Sequence, residues 1–381
     1  MAHAGDTALP DVGRFSDDPC RSHTLPGSYY YAPGVFELEK RAIFNRTWQY
    51  VCHLSRVAEP GRYCVRDIGD QSVVVLRDRG GELRAFHNVC QHRAHRLVEG
   101  AGRLGAAIVC PYHNWSYELS GELRLARHSE EVADFDRGTI CLSRVRAETF
   151  CGFVFVNLDP DARPIMEGRE GLDREIRELS PEIENLKLAS EREIPIAANW
   201  KNSVENYSEC YHCPNRHPAL MQGSLDLDSY RITVHPEYHS HSSRGVGEST
   251  AYARSLDTDG EEREFGSWLL WPNFALEVYP GGYLNVFHHE PTAPERTVQR
   301  VEWYFPTEEP TPEQREVIEF VDGVRDEDVP ICESVQRGLH SLGYTQGRLI
   351  ATSNGPYFSE HAVHDFQAKV LKALRAHSRS T

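Results

Sequence analysis

Cys90-Gln91-His92 and Cys110-Pro111-Tyr112-His113 place two thiols and two imidazoles in one short stretch, as C-x-H, seventeen residues, then C-x-x-H. Thiolate and neutral imidazole together are the side chains that hold soft and borderline metals. Two occupants satisfy such a set. One is a zinc ion in a closed tetrahedral site. The other is a [2Fe–2S] cluster in which two histidines replace two cysteines on one iron, which removes negative charge there and raises the potential. A Cys2His2 zinc finger carries its histidines on a helix. Here both pairs sit in loops after strand-like runs, the second after Ala106-Ala107-Ile108-Val109. Asn88 precedes the first pair and Arg93 follows it, while Tyr112 and Trp115 are candidates to pack over the metal and exclude water.

The surrounding chain sets the scale. Its 381 residues exceed one ordinary core and suggest about two domains. A net charge of −16 argues against nucleic acid, whose phosphates demand clustered Lys and Arg. No apolar run approaches the ~18–20 residues that cross a bilayer, and the opening MAHAGDTALPDVGRF has neither a basic start nor an apolar core. The ten cysteines are scattered, as buried thiols or metal ligands are in a cytoplasmic protein, and the cytoplasm is the expected compartment.

The texture changes twice. Up to residue 46 it is mixed, with a short amphipathic helix expected before Trp48. From 47 to 158 it consists of short β-like runs split by turns, among them Gln71–Leu76, Trp115–Leu119 and Gly152–Leu158, the last stopped by Asp159-Pro160. From 159 to 381 helices return around a strand-rich stretch at about 228–305, which includes a turn at Tyr279-Pro280-Gly281-Gly282-Tyr283. Thr311-Pro312 predicts a helix start, and Val363, Phe366, Val370 and Leu374 predict a terminal amphipathic helix. The expected class is α+β: an N-terminal segment 1–46, an all-β domain 47–158 and a second domain 159–381.

That second domain holds the other dense segment, Asn199 to Pro218. Read as a helix through Tyr211, it puts Glu205, Glu209 and His212 on one face, and a break at Pro214 can swing His217 back toward His212. Two imidazoles and one carboxylate form the facial triad of non-haem iron oxygenases, which leaves coordination positions open. Helical phase offers the carboxylate. In the run Val317, Val321, Val324, Asp328, Ile331, Val335, Asp328 falls inside an apolar stripe, where an unpaired charge is expensive and a cation would offset it. Asp326 and Glu327 lie off that line, and Asp365 misses the stripe of its own helix. A buried Asp near Pro330 with a purely structural role is the alternative.

The two constellations, in this order and separation, resemble the α subunits of Rieske non-haem iron oxygenases, the aromatic-ring-hydroxylating dioxygenase superfamily, over nearly the whole chain. The resemblance implies a Rieske domain followed by a catalytic domain in which an antiparallel sheet is flanked by helices (a helix-grip, START-like fold). It implies that Cys90, His92, Cys110 and His113 hold the [2Fe–2S] cluster, and that His212, His217 and Asp328 hold a mononuclear Fe(II). It also implies a homotrimer in which electrons pass from one subunit's cluster to a neighbour's iron, O₂ as co-substrate, and a separate NAD(P)H-dependent reductase of flavin or ferredoxin type. The family usually has an Asp three residues before the first iron-binding His, bridging the two centres. Glu209 stands there in this chain, a longer carboxylate still able to fix tautomers by hydrogen bonds.

Asn206-Tyr207-Ser208-Glu209-Cys210-Tyr211-His212-Cys213-Pro214-Asn215-Arg216-His217-Pro218 and Glu327 to Leu339 resemble the branch acting on carnitine, choline, glycine betaine or proline betaine. That branch performs oxidative N-demethylation or C-hydroxylation; the alternative is an arene ring hydroxylase or cis-dihydroxylating dioxygenase. A quaternary ammonium cannot donate hydrogen bonds and is held by aromatic faces. Tyr207, Trp271, Phe274 and Tyr283 are the candidate rings, from a pool that also contains Tyr279, Phe287 and Trp303. His288 and His289 are candidates for a substrate carboxylate.

Overall fold

The computed structural model describes residues 9–223, 226–244, 264–279, 283–352 and 355–379. The chain divides into two compact units, 44–167 and the combination of 1–43 with 168–381.

The unit 44–167 is built of short antiparallel strands: β1 (Gln49–His53), β2 (Arg62–Ile68), β3 (Gln71–Arg77), β4 (Leu83–His87), β5 (Ala101–Arg103), β6 (Ile108–Val109), β7 (Ser116–Tyr117), β8 (Leu123–Leu125), β9 (Arg146–Phe150) and β10 (Phe153–Asn157). They form three sheets, β4-β3-β2-β5, β6-β7-β8 and β1-β10-β9. The β-branched run Val73-Val74-Val75 is fully buried in β3, as its composition predicts. A core of Val74, Leu76, Phe86, Ile108 and Tyr117 closes directly on Cys90 and Cys110. The two cysteine loops therefore hang from the ends of β4 and β6.

In the other unit, seven antiparallel strands run β11 (Lys187–Ile196), β17 (Arg296–Phe305), β16 (Tyr283–Ala293), β15 (Phe274–Tyr279), β14 (Glu264–Leu270), β13 (Tyr238–Arg244) and β12 (Arg231–Val234) across one sheet. Its helices are α1 (Ser28–Tyr31), α2 (Pro33–Glu39), α3 (Glu170–Leu179), α4 (Trp200–Tyr207), α5 (Cys213–Arg216), α6 (Pro218–Gly223), α7 (Pro312–Leu339) and α8 (His361–Ser378). The turn expected at Pro280-Gly281-Gly282 lies outside the described residues. α8 buries Val363, Phe366, Val370 and Leu374 as its periodicity predicts. No described helix is long and apolar enough to cross a membrane.

α7 starts with a capping box. Thr311 Oγ1 accepts from the Gln314 amide at 3.3 Å, and Gln314 Oε1 accepts from the Thr311 amide at 2.9 Å. Its buried stripe runs Val317, Val321, Val324, Cys332, Gln336 and Leu339, with Asp328 in phase, whereas Val335 is 46% exposed. The 3.6-residue period thus continues through Pro330, and the expected Ile331/Val335 positions drift off it. Gln336 ties α7 to α4: its Oε1 accepts from the Asn199 amide at 2.9 Å and from Asn202 Nδ2 at 2.8 Å. α4 is fixed from its other side by Trp200 Nε1 donating to Glu39 at 2.9 Å and by a buried Lys201–Glu39 ion pair. Losing either partner of that pair would strand a charge, at about 3–5 kcal/mol.

α4 ends at Tyr207 rather than continuing through Tyr211. Ser208 closes it, its amide bonding the Val204 and Glu205 carbonyls and its hydroxyl donating to the Val204 carbonyl at 2.7 Å. The Cys210 amide then leaves the helical ladder for the Tyr357 carbonyl. Glu205 consequently does not share a face with His212; it accepts from Tyr30 Oη at 2.7 Å.

Candidate functional site

The two cysteine loops are built alike. The Cys90 amide donates to the His95 carbonyl at 2.8 Å and the Ala94 amide returns to the Cys90 carbonyl at 3.0 Å; Cys110, Trp115 and Asn114 repeat both bonds at the same lengths. Ala94 and Asn114 carry matching positive φ of 55° and 57°, which for alanine costs about 1–2 kcal/mol that the turn's hydrogen bonds must offset. Asn88 braces the first loop, its Oδ1 accepting from the Leu97 and Val98 amides.

This geometry buries both sulfurs and turns both imidazoles outward. Cys90 and Cys110 are 3% and 2% exposed, His92 is exposed and His113 half-buried, with the two rings 4.7 Å apart. The donor set fits a [2Fe–2S] cluster with cysteines on the inner iron and histidines on the outer one. His113 Nδ1 is shielded from solvent and has no hydrogen-bond partner among the described residues, as a ligand nitrogen would. Trp115 stacks on His92 at 4.6 Å. Tyr112 touches the His113 ring at 3.7 Å but is 51% exposed, so it does not seal the site from water.

Tyr117 Oη lies 3.2 Å from Cys90 Sγ and accepts from the Gln91 amide at 3.0 Å. With that lone pair engaged, the phenolic proton goes to sulfur. A hydrogen bond to a ligating sulfur favours the reduced, more negative cluster. Tyr117→Phe is therefore expected to lower the cluster's reduction potential without loss of iron, as read by potentiometric titration of its EPR signal; an unchanged potential would remove Tyr117 from this role.

In the larger unit, His212, His217 and Asp328 converge as a group able to hold a metal. His212 Nε2 and His217 Nε2 are 3.2 Å apart, and Asp328 Oδ1 lies 3.0 Å from His217 Nε2 and 3.5 Å from His212 Nε2. Cis ligands ~2.1 Å from an octahedral metal stand ~3.0 Å apart, so the triangle fits one face of such a site. Both Nδ1 atoms are already committed, His212 to Glu209 at 2.6 Å and His217 to Glu327 at 2.7 Å. Each carboxylate takes the Nδ1 proton and leaves Nε2 free to ligate. Burial alone would lower His212, but Asp328 and Glu209 outweigh it and carry it up to about 9. Asp328, although buried, is held well below the usual carboxylate range by His212 and His217.

The other carboxylates go elsewhere. Asp326 pairs with Arg192, and Asp365 with His239 at 2.7 Å and Lys369 at 2.6 Å. Glu327 is the functional neighbour that periodicity missed: one residue from Asp328 is a ~100° turn on the helix, so it falls off the apolar stripe yet reaches His217 from the side. Cys210 and Cys213, which flank His212, form a disulfide, so the expectation of thiols or ligands does not extend to this pair.

An open-mouthed pocket with about 620 Å³ of empty space leads to the triad. Its aromatic wall is Tyr207, Tyr230, Phe265 and Tyr279, with Ser267, Glu277 and Arg325 among the polar lining. Trp271, Phe274 and Tyr283 do not reach it. Phe274 points to the opposite face of β15 from Glu277 and Tyr279, Trp271 packs on Phe366 at 5.6 Å, and Tyr283 packs on Phe305 at 5.5 Å. His288 and His289 are buried in β16 and do not line it; His289 Nδ1 meets Ser203 Oγ at 2.8 Å.

Comparison with known proteins agrees with this geometry. Residues 47–136 match the Rieske [2Fe-2S] domain, and residues 183–376 match the ring hydroxylating alpha subunit (catalytic domain). The carnitine monooxygenase oxygenase subunit of Escherichia coli (strain K12) is 39% identical over 96% of this chain and 98% of its own length. The glycine betaine monooxygenase oxygenase subunit of Chromohalobacter salexigens is 32% identical, over 85% of this chain and 81% of its own. A solved quaternary ammonium Rieske monooxygenase, described with carnitine oxidation by gut microbiota and inter-subunit electron transfer, superposes with a TM-score of 0.88 at 34% identity, covering 96% of this chain and 100% of that one. Naphthalene 1,2-dioxygenase from Rhodococcus sp. shares the fold alone, at a TM-score of 0.77 and 19% identity. The chain belongs to the Rieske non-haem iron oxygenase α subunits, the oxygenase components that carry a Rieske [2Fe–2S] cluster and a mononuclear iron and draw their electrons from a reductase.

Proposed function

We propose that the chain is the terminal oxygenase of a monooxygenase system that oxidises a quaternary ammonium compound of the carnitine, betaine or choline type, by N-demethylation or hydroxylation of a neighbouring carbon. Cys90, His92, Cys110 and His113 hold the cluster; His212, His217 and Asp328 hold the iron. The observation that carries the substrate reading is the pocket wall. Tyr207, Tyr230, Phe265 and Tyr279 surround the approach to the triad, with the Glu277 carboxylate among them. Aromatic faces plus a carboxylate are the chemistry that receives a trimethylammonium group. The relatives named for carnitine and glycine betaine support the same reading.

When bound, the mononuclear iron supplies activation of O₂ with electrons delivered through the cluster. The protein's own work is positional. Glu209 and Glu327 hold the two imidazoles in one tautomer, and the rings exclude water and present the substrate's methyl groups to the open side of the triad. Glu209 links the iron-binding His212 to the cluster of a neighbouring subunit in a homotrimer. Electrons reach that cluster from an NAD(P)H-dependent flavin or ferredoxin reductase in the cytoplasm.

The test is O₂ uptake and formaldehyde release with the reductase, across a panel of trimethylammonium compounds and arenes. Formaldehyde or a hydroxylated amine formed from the ammonium compounds is the expected outcome. Arene diols as the sole products would overturn the reading in favour of ring hydroxylation.

A further inference from the structure

Strand register puts an unusual row across the pocket face of the sheet. His241, Ser267, Glu277, Asn285 and Trp303 lie directly opposite one another on β13, β14, β15, β16 and β17, so their side chains share one face. Four of the five are polar, beside Phe265, Ala275 and Phe287 on the same face. At its centre Glu277, whose side chain is 6% exposed, receives Arg325 Nη2 at 2.7 Å and Tyr279 Oη at 2.5 Å. Arg325 comes from α7, and its guanidinium lies 3.9 Å over the Phe287 ring and 5.9 Å from that of Tyr207.

Stability does not explain this pair. A buried ion pair is often no more stabilising than apolar residues of the same volume, and this one borders the substrate pocket. Nor is the guanidinium saturated. Of its five N–H donors, one is used by Glu277, and among the described residues no other hydrogen bond to Arg325 is formed, Nε included. Phe287 and Glu277 fix the plane of the fork, so its remaining donors are presented at low entropic cost.

Asp328 lies three residues beyond Arg325 on the same helix, ~4.5 Å along the axis and on a neighbouring face position. A negative group on Arg325 therefore sits about one helical turn from the iron triad. A fixed carboxylate–guanidinium pair is complementary to a zwitterion, with Glu277 toward the ammonium and Arg325 toward the carboxylate. The aromatic wall alone cannot make that distinction, because it receives any trimethylammonium group equally.

We propose that Arg325, held in place by Glu277, is the specificity-determining residue that anchors a substrate carboxylate, so that the site selects zwitterionic trimethylammonium carboxylates over purely cationic trimethylammonium alcohols. The assignment rests on the quaternary ammonium reading above and narrows it.

The experiment compares carnitine and glycine betaine with choline, which keeps the trimethylammonium group but has no carboxylate. Binding is read by calorimetry on the holoenzyme, and kcat and KM with reductase and O₂. The parent is expected to favour the carboxylates by ~10-fold or more in kcat/KM, the range of one charge-assisted hydrogen bond. Arg325→Lys keeps a partner for Glu277 but loses the planar fork. The double variant Glu277→Gln/Arg325→Gln removes both charges together and strands neither. Both are expected to weaken the carboxylates ~10–100-fold, mostly in KM and Kd; choline changes by less than about threefold in Arg325→Lys, and by less than the carboxylates in the double variant, which also removes the Glu277 charge from the ammonium side. Unaltered cluster spectra and iron content certify the fold of each variant. Equal losses for both substrate classes, or no loss for either, would overturn the anchoring role while leaving the quaternary ammonium reading intact. A parent that binds and turns over none of the three compounds would bring down that reading and this one together.

Discussion

Glu209→Ala is expected to lower steady-state turnover by ~100-fold or more while the cluster keeps its visible and EPR spectra. Glu209 Oε1 accepts the Nδ1 proton of His212 at 2.6 Å, and its other oxygen receives the Tyr211 and His212 amides. Removing it frees the imidazole's tautomer and orientation and weakens iron by ~10–100-fold, so the assay is run with Fe(II) in excess. With the site refilled, the remaining loss is in electron delivery. Single-turnover experiments on pre-reduced protein separate the two effects, because a slowed cluster reoxidation reports the electron path and a normal one reports iron occupancy. Full turnover with Fe(II) in excess would show that Glu209 is no bridge.

His217→Ala is expected to empty the mononuclear site and leave the cluster filled. It removes one of the three converging side chains and the partner of Glu327, which has His217 Nδ1 at 2.7 Å. The effect exceeds that of Glu327→Gln, which only loosens the ring and is expected to weaken iron by ~10-fold. Total iron, acid-labile sulfide and the Rieske EPR signal measured on one preparation decide the outcome: sulfide and signal unchanged, iron reduced to that of the cluster. Loss of all three together would mean unfolding and would leave His217 unproven as a ligand. Retention of the third iron with full activity would exclude it.

Most of the two Cys/His/Asp constellations was legible because their spacing is local. The C-x-H and C-x-x-H pairs are set by loop geometry within a few residues, and the matching hydrogen bonds of the Cys90 and Cys110 loops are that local code made visible. Asp328 was legible for a different reason, as a charge in phase with Val317, Val321 and Val324 on one helix. The same periodicity misjudged Val335, because a one-residue drift in choosing the stripe carries a position to the solvent side. The continuation of α4 to Tyr211 also failed, since Ser208 and the Tyr357 carbonyl compete for backbone groups that helical spacing cannot register.

The pocket was the least legible part. Tyr207 and Tyr279 reach it, whereas Trp271, Phe274 and Tyr283 do not. Alternation within a strand tells which residues share a face, but not which face meets the iron. Glu277 and Arg325 are 48 residues apart and meet only because β15 and α7 pack together.

By itself, then, the sequence determined the two Cys–His loops and the helix that carries Asp328, since each depends on contacts only a few residues long, and it pointed to the family by resemblance. Tertiary structure alone decided the pocket wall, the Glu327 brace on His217 and the Glu277–Arg325 pair. Those depend on strand register and on the rotation of α7 against the sheet, which are fixed by packing over the whole domain and leave no local pattern in the chain.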